Sequence, residues 1–295
     1  MSMRHAGYQV VAGALLLLST AVHSQTTQFS TTYKAAGMNK ALSINGYEPS
    51  AAGTYPVFVY VTGTKLSPWS ADDQLITQEM AQRGFVAVSV DYSTRMLYPG
   101  NCGILSTAVA QVFSASDPAS AVNVVESRPK ADLTKGLVVM GFSQGANVAS
   151  LAKNFNASVD GAVLIGNGYT SWGASCYGDG YTAITGSESR SLIGATDSAY
   201  VFNGGPGGSI DQNRIVMETT SGMSCGPAAT SCTDAGGGGW YIVQAAETAS
   251  NKDGHCFFYG NSPCGGMPMD AQFTGGSHYW SLEPSLDWLA AFATP

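Results

Sequence analysis

Gly141-Phe142-Ser143-Gln144-Gly145 sets a serine between two glycines. A hydroxyl is a weak nucleophile until a base takes its proton, and a serine on a sharp strand-to-helix turn stands clear of the backbone. The glycines let segments pass close together there. The N–H groups that open the following helix favour developing negative charge. The context fits this reading. Residues 137–140 form a short apolar run that predicts a strand, and 144–155 carry Val148, Leu151 and Ala152 at helical spacing. The chemistry expected is attack by Ser143 on a carbonyl carbon, with the Gln144 amide as one donor to the oxyanion.

The strand, turn and helix around Ser143 resemble the nucleophile turn of the α/β-hydrolase superfamily, and the resemblance extends over most of the chain. It implies an α/β-hydrolase fold: a mostly parallel central sheet flanked by helices. It also implies an acid after a later strand and a histidine after the last one, in the order Ser, Asp, His. Residues 192–197 read as strand, loop and then Asp197, which fits the acid; Asp179 and Asp211 are the alternatives. A second oxyanion donor is expected from Thr62-Gly63-Thr64, after the strand at 57–61, with Thr64 as the donor.

Two histidines compete for the base. His255 follows the strand at 240–244 and stands beside Cys256. This is similar to tannase-type esterases, in which a disulfide-bonded cysteine adjoins the catalytic histidine. Phe142 stands where that pattern has its other cysteine, before the serine. His278 precedes the final helix at 284–292, which resembles esterases and polyester hydrolases whose histidine directly precedes the C-terminal helix. Residues 271–274 would then have to be the preceding strand. Position after the last strong strand favours His255. The activity implied is carboxylic-ester hydrolysis through an acyl-enzyme, on a small or polymeric ester, with no cofactor and no metal. A serine peptidase, an acyltransferase or an inactive binding protein are the other functions this fold can serve. Tyr169, Trp172, Tyr177 and Tyr181 offer a stacking surface for a ring-bearing substrate, or else pack their own loop.

Apolar runs alternating with helical segments must position these groups. Strands are predicted at 57–61, 85–90, 137–140, 162–165, 192–194 and 240–244. Helices are predicted at 72–83, about 105–125 with a break near Pro118, 144–155, 213–220 and 284–292. Such alternation implies parallel pairing through right-handed crossovers in one α/β domain, residues 25–295. Gly-rich insertions at about 166–188 and 203–239 follow strands and are expected at the sheet's carboxyl edge.

Composition narrows the setting. Arg4 and His5, the apolar run 10–18, and Val22 and Ser24 ahead of Gln25 predict a signal peptide over 1–24. The expected location is secreted or periplasmic, with no membrane span after cleavage. Only 11% of the 295 residues are charged, and the net charge of −7 argues against nucleic acid as a partner. Six cysteines in an exported chain predict disulfides, and without a CxxC pair zinc is not expected. Closeness in sequence suggests Cys225–Cys232 and Cys256–Cys264, which leaves Cys102–Cys176.

Overall fold

The computed structural model describes residues 24–64, 69–93, 102–167, 182–198, 208–259 and 268–294. All but the last residue of the expected signal peptide lies outside these, as do Asp179 and the four aromatic residues of the 166–188 insertion.

Among the described residues, nine strands make one sheet in the order β1-β2-β4-β3-β5-β6-β7-β9-β8. β1 (Thr26–Tyr33) and β2 (Leu42–Pro49) form an antiparallel pair at one edge. β3 (Val57–Val61), β4 (Val86–Val90), β5 (Leu137–Phe142), β6 (Val159–Ile165), β7 (Ser189–Gly194) and β9 (Gly239–Val243) run parallel. β8 (Ser231–Thr233) closes the other edge antiparallel to β9. The helices among the described residues are α1 (Ala71–Gln82), α2 (Cys102–Phe113), α3 (Ala121–Glu126), α4 (Gln144–Ser150), α5 (Ala152–Phe155), α6 (Ile210–Ser221), α7 (Ala271–Gly275) and α8 (Leu282–Ala290). None of the described helices is long and apolar enough to cross a membrane. This is the mostly parallel, helix-flanked sheet that the alternating sequence pattern predicts.

The central strands are apolar on both faces because both faces are covered. Val57, Val59 and Val61 of β3 share a core with α2, α3 and α4, while Phe58 and Tyr60 pack with Ile76 and Met80 of α1 and Leu286 and Leu289 of α8. From β3 the chain crosses to β4 on one side and later returns to β5 on the other. Connections that leave in opposite directions open a crevice beyond the carboxyl ends of β3 and β5, where open α/β sheets bind ligands.

Several local expectations change. The predicted helix 144–155 is two helices that meet at Leu151. Residues 271–274 are helical, because the Asp270 side chain caps α7 by accepting the Gln272 N–H. The second Gly-rich insertion is only partly at the carboxyl edge. It leaves the end of β7, but its 236–239 run leads into the start of β9, where the Arg190 guanidinium donates to Gly237 O at 2.8 Å. The Cys225–Cys232 disulfide is formed. Cys256 is also disulfide-bonded, but the pairings Cys102–Cys176 and Cys256–Cys264 fall outside the described residues.

Candidate functional site

Ser143 sits where β5 turns into α4, with φ 55° and ψ −121°. Positive φ at a residue with a side chain costs about 1–3 kcal/mol and persists only where its surroundings impose it. Here the surroundings are explicit. The Ser143 N–H is held by Ile165 O of β6 at 2.8 Å, while Ser143 O already accepts from Ala146 and Asn147 of the new helix. The elbow is pressed against β3: a Cβ at Gly145 would collide with the carbonyl oxygens of Val61 and Thr62, and one at Gly141 would collide with Gly145 itself. Both flanking glycines are therefore demanded by close backbone passage.

His255 reaches this serine from the loop after β9. Its Nε2 lies 2.8 Å from Ser143 Oγ, and its Nδ1 lies 2.8 Å from Asp197 Oδ2. The Asp197 side chain is fully buried. A carboxylate only accepts, so Nδ1 carries the ring proton and donates to Asp197, which leaves Nε2 to accept the Ser143 hydroxyl. Hydroxyl, imidazole and buried carboxylate in this relation can transfer the serine proton and stabilise the imidazolium that results.

Neighbouring residues fix the imidazole ring. Phe142, one residue before the serine, packs on it with ring centroids 5.3 Å apart, and Phe258 meets Phe142 edge-on at 4.7 Å. On another side stands Gly166, with φ 60°, where a Cβ would lie 3.2 Å from His255 Cε1. Asp270, 4% exposed, accepts the N–H groups of Ala249 and Ser250 at 3.0 and 2.9 Å and so ties the histidine's loop to α7.

The loop after β3 also meets the residue after the serine, through their side chains. Thr64 Oγ1 donates to the side-chain Oε1 of Gln144 at 2.5 Å, which joins the loop after β3 to the residue after the serine. His278 is elsewhere: it is exposed on the surface and stacks on Trp280 with centroids 5.5 Å apart. Its backbone N–H bonds Ser281 Oγ. The candidate acid Asp211 lies in the first turn of α6 and pairs with Arg214 at 2.9 Å. Sequence reasoning missed Gly166 and the contact role of Phe142. A glycine directly after a buried strand was the one signal for the first.

Ser143 after β5, Asp197 after β7 and His255 after β9 all stand at the carboxyl edge of one parallel sheet, with Thr64 after β3 facing Gln144. This is the arrangement that the resemblance to the α/β-hydrolase superfamily implies: a mostly parallel sheet with the candidate groups on its carboxyl edge. No protein-family model and no curated protein matches the chain. Solved structures do resemble it: brefeldin A esterase, described as a bacterial homologue of human hormone-sensitive lipase, is 20% identical with a TM-score of 0.37 over 52% of this chain and 42% of its own. A fungal esterase from Rhizomucor miehei is 19% identical with a TM-score of 0.38 over 52% of this chain and 47% of its own. Esterase Est22 is 16% identical with a TM-score of 0.38 over 52% of this chain and 48% of its own. The chain thus matches less than half the length of each.

Proposed function

We propose that the chain is a serine hydrolase that cleaves carboxylic esters, exported to a secreted or periplasmic location. The observation that carries this reading is the single imidazole, His255, within 2.8 Å of both Ser143 Oγ and Asp197 Oδ2. In the reaction, Nε2 of His255 takes the hydroxyl proton as Ser143 Oγ bonds to the ester carbonyl carbon. The carbonyl oxygen takes the negative charge, and the amides of Gln144 and Thr64 receive it. The imidazolium then gives its proton to the departing alkoxide, which leaves as the alcohol and an acyl-serine. Water, deprotonated by the same ring, attacks the acyl carbon, and Ser143 recovers its proton as the carboxylic acid leaves. Asp197 stays ionised throughout, holding the tautomer and balancing the imidazolium. The disulfides support export, because such bonds persist in oxidising compartments.

The test is Ser143→Ala, assayed on a p-nitrophenyl ester beside a matched peptide anilide. Loss of a nucleophile typically costs about ten-thousand-fold or more in turnover. The wild type should cleave the ester and label with a fluorophosphonate at Ser143, while the variant does neither and keeps its circular dichroism spectrum. Wild-type ester turnover retained in Ser143→Ala would overturn the mechanism, and cleavage of the anilide alone would move the substrate class to peptides.

A further inference from the structure

The turn that carries Asp197 is gripped from two sides. From α6, the fully buried Asn213 donates its Nδ2 to Gly194 O at 2.9 Å and to Ala195 O at 3.1 Å. From the other side comes the segment that ends in His255. Asp253 Oδ1 accepts the Thr196 hydroxyl at 2.7 Å, and the backbone oxygen of Asp253 accepts the Thr196 N–H at 2.9 Å. The second carboxylate oxygen of Asp253 accepts Ala245 N–H at 3.1 Å, just beyond β9. Glycine is required at 194 because a Cβ there would strike the carbonyl oxygens of Asp253 and Gly254.

Asp253 thus bonds the residue before Asp197 while standing two residues before His255, and it anchors both to the end of β9. Two loops that leave different strands are fastened to each other within one or two residues of each reacting partner. The carboxylate bonds Thr196 and Ala245, neither of which is a reacting group, and it acts on the chemistry through where Asp197 and His255 stand.

We propose that Asp253 is a positioning residue that sets the Asp197–His255 separation, acting with Thr196 as a clasp between the acid loop and the histidine loop. This rests on the serine-hydrolase reading. A misplacement of about 1 Å in a reacting group can cost about a hundredfold in rate, and a loose clasp acts on turnover rather than on the binding of substrate before attack.

The experiment compares Asp253→Ala, Asp253→Asn, Thr196→Val and the double variant Thr196→Val/Asp253→Ala on a p-nitrophenyl ester. Rates are expressed per active site titrated with a fluorophosphonate, so that misfolded protein does not count. Asp253→Ala should lower kcat about tenfold to a hundredfold with KM changed less than about threefold. Asp253→Asn should restore most of kcat, because its amide oxygen can take the Ala245 N–H while its NH2 donates to the Thr196 hydroxyl. The double variant should be no worse than Asp253→Ala, since both changes break one clasp. A purely structural role would give no selective rescue by Asn and additive losses. Asp253→Ala with kcat within twofold of wild type overturns the proposal, as does a loss confined to KM. If Ser143→Ala in the same series keeps full activity, it is the hydrolase reading that fails; if Ser143→Ala is inactive and Asp253→Ala is fully active, only the clasp fails.

Discussion

The ring of Phe142 packs on the imidazole of His255, with centroids 5.3 Å apart and planes inclined by 32°. This aromatic contact joins the end of the serine's strand to the histidine's loop, and Phe258 braces it from behind. Phe142 is 2% exposed, so Phe142→Ala should cost about 3–5 kcal/mol of stability through the cavity it leaves. Ring packing also restrains the imidazole, so kcat per titrated active site should fall as well. Urea unfolding together with ester kinetics checks both. Destabilisation with unchanged kcat would show that the contact packs the core and does not hold the histidine.

Much of this was legible in the sequence, for reasons that can be named. The nucleophile turn could be read because a strand, two glycines and a helix each leave a separate local signal. Asp197 could be read because a buried strand ran directly into it. β1 and β2 were not expected: TTQFSTTY is polar and faces solvent on much of its length, and β2 carries Asn45 and Gly46 in mid-strand. Gly46 is needed there because a Cβ would collide with Ala87 O of the neighbouring β4, a constraint visible only across strands. β8, at three residues, is too short for any periodicity. Position after the last strong strand favours His255 in the sequence, but His278, directly before the final helix, stays an alternative because family patterns with either placement exist. Asp270 bears on the alternative locally. By capping α7 it makes 271–275 a helix and not the strand that a catalytic His278 would need directly before it.

Glycine positions near the imidazole give a sharper test than the ring contacts. Gly166 combines φ 60° with a would-be Cβ 3.2 Å from His255, whereas a Cβ at Gly254, the residue before His255, would meet nothing within 4 Å. Alanine at 166 should be disfavoured by about 1–2 kcal/mol in backbone conformation and should push the ring away from Ser143. Gly166→Ala is expected to lower kcat about tenfold or more, and Gly254→Ala to leave it within about twofold. Steady-state kinetics on the two variants decides. Equal effects would mean that chain flexibility around His255, and not the space beside it, is what matters.

Acid sensitivity should centre on Asp270. Burial works to raise the pKa of this carboxyl, but the N–H groups of Ala249, Ser250 and Gln272 outweigh it and hold the group below the usual carboxylate range. A folded pKa below the unfolded value of about 3.9 means that this stabilisation is fully present above that pH and is lost as pH falls through the folded pKa. Asp270→Asn should lower the melting temperature at neutral pH, because one N–H then faces an NH2 group, a loss of about 1–3 kcal/mol. Below about pH 4 its melting temperature should fall less steeply with pH than the wild type's. Thermal unfolding between pH 7 and pH 3 follows both curves; parallel curves would assign the acid loss to other carboxylates.

The two histidines provide the last comparison. His255 bonds both Ser143 and Asp197 at 2.8 Å, while His278 is exposed and stacks on Trp280 at 5.5 Å. Members of a hydroxyl–imidazole–carboxylate relay act as a unit, so His255→Ala should reduce turnover by about a thousandfold or more. His278→Ala removes only a stacking partner from the surface and should change kcat/KM by less than about tenfold, or about 1.4 kcal/mol of barrier. Fluorophosphonate labelling of Ser143 should slow in the first variant and stay near the wild-type rate in the second, because labelling needs the same proton transfer. Fast labelling of His255→Ala with slow labelling of His278→Ala would require the C-terminal segment to reach Ser143, and would remove His255 from the mechanism. Mild effects in both would leave the serine without a base and count against proton transfer by either imidazole.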